Sequence, residues 1–155
     1  MAIAMTQMSH ARNFSAKIGQ LVLLYPVTET HMKTETYQTF REGPYLAEKT
    51  VDWMIEAFLP KPEDRRLPLT SPLTFASDEV LAKFPPTTIV VAGVDPLIGE
   101  GEAFGHRLQT LGVDTAVLKA DGQIHDFALL EPVRSSATAR AVVELSTLKL
   151  RKAFS

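Results

Sequence analysis

Three short stretches of this chain carry the apolar patterns of strands. Leu21 to Tyr25 is apolar throughout, and Ile89, Val90, Val91, Ala92 and Val94 form a second run rich in β-branched residues. Val113 to Lys119 is a third, with partial alternation. The first two runs, which do not alternate, predict strands covered on both faces, as in a parallel sheet, and the alternation of the third predicts a strand as well. Each ends at a breaker: Pro26, then Asp95-Pro96, then Asp121-Gly122 as a turn.

Helical spacing fills the intervals. Met1 to Phe14 has no Gly or Pro and reads as a helix that opens without a capping residue, as though its true start lay upstream. Ala47 to Leu59 sets Ala47, Val51, Ile55 and Phe58 on one face, widened by Trp53 and Met54. Asp78 to Phe84 predicts a short helix closed by Pro85-Pro86. Gly99 to Leu111 predicts another, with Phe104, Leu108 and Leu111 inward and Gly112 as a left-handed stop. Glu100 and Glu102 fall in its first turn, where the helix dipole favours negative charge. A last helix opens at Glu131-Pro132 and carries Val142, Val143, Leu145 and Leu148 on its apolar side. Residues 27–78 are rich in Thr and Pro and irregular from Lys61 to Thr74. That is too long for a simple crossover and reads as an insertion folded over the sheet. The order of elements predicts an α/β fold with a mainly parallel three-stranded sheet and flanking helices.

Composition narrows the function. With 155 residues, 45% of them hydrophobic, the chain can build one real core. A net charge of -2 gives no electrostatic case for nucleic acid, and the absence of cysteine excludes disulfide and thiolate chemistry. No stretch is long enough to span a bilayer and no signal leader is visible, so the expected location is cytoplasmic. His10, His31, His106 and His125 are scattered, without metal-ligand spacing. Gly93, Gly99, Gly101 and Gly105 could cradle a phosphate before a helix, but Glu100 and Glu102 would repel it and no P-loop spacing is present. Neither a metal nor a cofactor is expected.

The candidate chemistry rests on Asp95 and His125. One follows the second strand and the other the third, so a parallel sheet brings both to one rim. An aspartate that accepts a hydrogen bond from one imidazole nitrogen leaves the other as a base. Plainer roles stand beside this one: Asp before Pro is a common turn residue, and a loop histidine commonly does nothing special.

Several segments, taken together, resemble the hormone-sensitive-lipase-like esterases, an α/β-hydrolase family. Val94-Asp95-Pro96-Leu97-Ile98-Gly99-Glu100-Gly101-Glu102-Ala103 is similar to that family's acid-bearing segment, and Gly122-Gln123-Ile124-His125-Asp126-Phe127 to its histidine loop. Leu24-Tyr25-Pro26-Val27, Glu42-Gly43-Pro44-Tyr45-Leu46 and Ser71-Pro72-Leu73 follow in the family's order. The resemblance covers nearly the whole chain. It implies carboxylic-ester hydrolysis by a serine hydrolase, with Asp95 as triad acid and His125 as triad base. It also implies a single partial α/β-hydrolase domain over residues 1–155, with residues 27–78 as a partial helical cap. Tyr37, Tyr45, Trp53 and Phe127 are the expected substrate contacts.

The departures from the family pattern are as informative. The Gly-x-Ser-x-Gly nucleophile elbow and the glycine-rich oxyanion segment do not occur in the sequence. The serines ahead of Asp95 are Ser9, Ser15, Ser71 and Ser77, and none has flanking glycines. Met1 to Met8 resembles the helix that follows the elbow. The expectation is therefore the C-terminal part of an esterase, inactive alone and acting on a small-molecule ester only when complemented. Its partners would be an N-terminal hydrolase half or a second copy, paired through the open strand at residues 20–25. A non-catalytic binding or regulatory subunit derived from a hydrolase is the alternative. Two smaller departures are Gly99, where the family often has a polar residue, and Asp126, where it usually has glycine. If that last position needs a positive φ, an aspartate strains the loop.

Overall fold

A computed structural model of the chain describes residues 18–155. The Met1–Phe14 helix, Ser9 and Ser15 lie outside the described residues. Three strands form one sheet in the order β1 (Leu21–Leu24), β2 (Thr87–Val94), β3 (Thr115–Ile124), and both pairings are parallel. Between β1 and β2 lie α1 (Glu35–Thr39), α2 (Glu48–Phe58), a 3-10 turn at Pro62–Arg66, α3 (Pro72–Phe75) and α4 (Asp78–Leu81). Helix α5 (Ile98–Thr110) joins β2 to β3, and α6 (Ala137–Ala153) closes the chain.

β2 is the middle strand, and its sequence shows why. Ile89 and Val91 enter one core with Leu81, Phe84, Phe104 and Leu108. Val90 and Ala92 enter another on the opposite face, with Tyr25, Phe127 and Val142. A strand with both faces buried has no polar position to spare, which is the unbroken apolar run seen in the sequence. A third, smaller cluster joins Tyr37, Leu46 and Val51 to Leu97.

Helix α5 sits unusually close to the sheet. A Cβ on Gly105 would lie 2.2 Å from Val117 Cγ2, and one on Gly101 would lie 2.7 Å from Val91 Cγ1. These glycines serve helix-on-sheet contact, not a phosphate cradle. The helix is also tied to the segment before β2. Arg107 donates to the carbonyls of Leu73 and Ala76, each at 2.7 Å, and to Asp78 Oδ1 at 2.6 Å. The guanidinium thus takes up the exposed carbonyls at the end of α3.

The structure departs from the sequence expectations in four places. Asp121-Gly122 is not a turn but lies inside β3: Ala92 pairs with Ala120 and Val94 with Ile124, so three residues of β3 face Gly93. This bulge carries the strand on to Ile124. The last helix starts at Ala137, where the Ser136 hydroxyl accepts from Ala139 N–H at 3.2 Å. Glu131-Pro132 lies in the turns before it, because a serine cap competes better than a proline with no cap. Helix α4 ends at Leu81 rather than at Phe84. On α2, Val51 is buried as expected, but Phe58 is 79% exposed.

Replacing Gly105 by alanine forces a methyl into Val117 and is expected to cost about 1–3 kcal/mol, as overpacking does. Urea unfolding of the variant checks this, and an unchanged midpoint would show that α5 can lift off the sheet freely.

Candidate active site

β2 delivers Asp95 to the carboxyl rim of the sheet, and the next three residues lock it there. Leu97 N–H donates to Asp95 Oδ1 at 2.9 Å, and Ile98 N–H donates to its carbonyl at 3.3 Å. This aspartate turn is the local reason that the strand stops here. The neighbouring β3 brings His125 to the same rim. His125 Nδ1 lies 2.7 Å from Asp95 Oδ2, a short charge-assisted contact between nearly buried side chains. A carboxylate can only accept, so Nδ1 donates, and in the neutral ring Nε2 keeps its lone pair.

The walls of the site come from both strand ends. Tyr25 follows β1 at φ 39° and packs its ring 4.9 Å from the imidazole and 5.6 Å from Phe127, centroid to centroid. Burial first, then the charge of Asp126, pushes the Tyr25 phenol up to about 12. It is therefore a neutral wall at pH 7. Asp126 has φ 61°, a left-handed conformation that favours glycine. Its Oδ1 stands 3.7 Å from His125 Nε2, and its Oδ2 accepts from the Tyr45 hydroxyl at 3.4 Å.

Behind the rim, Glu100 is a buried hub. Its Oε1 accepts from Thr28 N–H at 2.6 Å and Glu29 N–H at 3.1 Å, and its Oε2 accepts from the Tyr37 hydroxyl at 3.0 Å. Burial outweighs these three donors and pushes the carboxyl up to about 8. One side chain of α5 thereby fixes the chain leaving β1 and helix α1. Thr36 adds a second link, donating to Pro96 carbonyl at 2.7 Å and accepting from Gly99 N–H at 3.2 Å. A Cβ on Gly99 would fall 2.7 Å from Thr34 Oγ1, so that contact explains the missing side chain.

Of the residues singled out in the sequence, Asp95 and His125 meet and Tyr45 reaches the same rim through Asp126. Tyr37 and Phe127 do not. Both are fully buried, one bonded to Glu100 and the other beneath Tyr25, and neither presents a surface to a ligand. Core and pocket aromatics look alike in sequence, which is why they are confused. Trp53 is 66% exposed on α2. An apolar groove of about 280 Å³ along the same helix is lined by Val27, Val51, Met54, Phe58 and Leu69, without Trp53. Ser71 is buried against Thr30 N–H (2.8 Å) and the Arg65 carbonyl (2.6 Å), and Ser77 caps α4. Neither serine bonds to the imidazole. The place of Tyr25 beside the imidazole and the role of Glu100 as a hub escape the sequence reading. Glu100 does leave a signal, since it falls on the inward stripe of Leu97, Phe104 and Leu108. Among the described residues no cluster of ligands could hold a metal, and no helix is long and apolar enough to cross a membrane.

A sequence profile of the alpha/beta hydrolase fold family matches residues 1–129, and this chain belongs to that family. An esterase of Fusarium pseudograminearum is 56% identical over 154 residues, 99% of this chain and 48% of that protein. A putative alpha/beta hydrolase of Acanthamoeba polyphaga mimivirus is 38% identical over 84% of this chain and 38% of its own. In three dimensions the chain is similar to carboxyl esterase 2 of Tuber melanosporum, with a TM-score of 0.91 and 38% identity over 97% of this chain and 48% of that one. The chain thus spans about half the length of the curated relatives it matches.

Replacing Glu100 by glutamine tests the hub through pH. The carboxyl binds a proton more tightly folded, with a value near 8 against an ordinary 4.5. The native state therefore holds more protons between those values, and wild-type stability falls as pH rises from about 5 to 8. The Glu100→Gln variant should escape that fall, by up to a few kcal/mol. Thermal unfolding of both proteins at pH 5 and pH 9 measures the gap, and an equal gap at both would refute the assignment.

Proposed function

We propose that this chain carries the acid and the base of a Ser-His-Asp carboxylic-ester hydrolase. The observation that supports it most directly is the 2.7 Å pair of Asp95 Oδ2 and His125 Nδ1 at the carboxyl rim of a parallel sheet. In this reading Asp95 fixes the ring and its tautomer, and His125 Nε2 takes the proton of an attacking serine. The imidazolium then returns that proton to the leaving alcohol. The serine and the oxyanion donors come from an N-terminal hydrolase half packed along the edge of β1. The edge position and half-buried side chains of β1 support that pairing. Residues 27–78 are the partial cap, with Tyr45 and Trp53 on the substrate side. Alone, the chain has no serine-dependent turnover, and the pair supplies at most roughly 100-fold of general-base action.

A second reading is a non-catalytic binding module derived from a hydrolase. The groove beside α2, apolar and open to solvent, is what favours it. Complementation separates the two. The N-terminal half of the Fusarium pseudograminearum esterase is expressed separately and mixed with this chain. Hydrolysis of p-nitrophenyl acetate should then exceed that of either part. Asp95→Asn in the complex should lower kcat by about 1,000-fold or more. No gain on mixing, or a gain indifferent to Asp95 and His125, favours the binding module.

A further inference from the structure

Asp126 does more than fill a turn. Its carbonyl accepts from Leu129 N–H at 2.8 Å and from Leu130 N–H at 2.9 Å, so its left-handed backbone is held by two bonds of the following turn. That backbone sends the side chain back across the ring. One carboxylate oxygen lies 3.7 Å from Nε2, and the other accepts from Tyr45, 81 residues earlier in the chain. Tyr45 belongs to the segment between β1 and β2, so two parts of the molecule meet beside the imidazole.

We propose that Asp126 is a positioning residue for His125, a second anchor on the Nε2 side of the ring opposite Asp95, fastened by Tyr45. The proposal rests on the reading of His125 as the base. One hydrogen bond at Nδ1 leaves the imidazole able to pivot about that bond, and once Nε2 carries a proton the Asp126 carboxylate attracts the far nitrogen and removes the pivot. At 3.7 Å the contact is longer than a hydrogen bond and acts through charge. The ring acquires charge when it takes the nucleophile's proton, and a carboxylate then faces it from each side. Glycine would make the backbone easier at φ 61° but would leave the far side of the ring unheld. The same contact joins the segment over the sheet to the histidine loop, so movement of Tyr45 is felt at the ring.

The test needs no turnover. In the full chain with ¹⁵N-labelled histidine, at a pH low enough to protonate the imidazole, the Nδ1–H proton held by Asp95 gives a low-field resonance whose exchange with water reports how firmly the ring is kept. Asp126→Gly should melt no lower than wild type, because it relieves the left-handed backbone. Its Nδ1–H should nevertheless exchange roughly tenfold faster. Tyr45→Phe should move the exchange in the same direction by less, and Asp126→Asn, which keeps the bond to Tyr45, should restore part of the protection. Unchanged exchange in Asp126→Gly would overturn the proposal. A melting temperature that falls in step with the loss of protection would do so too, because it would make the role purely structural. Absence of the low-field signal in the wild-type chain would instead sink the pairing of Asp95 with His125, and the proposal with it.

Discussion

A carboxylate with almost no exposure is expensive unless each of its oxygens has a donor. Asp95 meets that demand with two partners of different kinds. Its Oδ1 is served by the backbone of its own turn, and its Oδ2 by a side chain from the next strand. The first bond is local and forms with the turn. The second requires that β3 lie beside β2 in register and continue far enough to carry His125 to the rim. The burial of one acid thus couples strand pairing, the bulge and the histidine loop into a single requirement. Loss of any of them leaves a buried negative charge without its imidazole.

Glu100 meets a similar problem five residues later and resolves it differently. Asp95 is matched by a base, whereas Glu100 is matched by two backbone N–H groups and a phenol. These donors come from segments far away in sequence, so its role is architectural. It holds the chain leaving β1 and helix α1 against the first turn of α5. The rim and the segment above it therefore share a foundation, and the polar interior of this protein is organised around acids placed early in one βα connection.

Much of this was legible in the sequence because it rests on periodicity. The three strands, α2 and α5 follow from apolar spacing, and the unbroken apolar run of β2 predicted the burial of both its faces; the like run of β1 predicted the same, but β1 lies at the edge of the sheet, half-buried. The pairing of Asp95 with His125 was legible because both sit just past strand ends. What failed did so for physical reasons. Asp121-Gly122 has turn chemistry, but a bulge uses the same residues. Glu131-Pro132 resembles a helix start, but Ser136 offers the free N–H groups a hydroxyl. Tyr37 and Phe127 have the composition of a pocket and the burial of a core. Glu100 was read through the helix dipole, and its true partners lie some 70 residues earlier, where no local pattern points to them.

The two glycines that let α5 lie against β2 and β3 divide the rim into unequal halves. The acid stands in the turn that leads into a helix pressed to the sheet with no slack between them, while the imidazole sits in a short loop beyond a bulge. Geometry at this rim is therefore adjusted from one side only. Sequence change in the loop after β3 can retune the base while the carboxylate stays fixed, much as a lathe holds the work rigid and moves the tool.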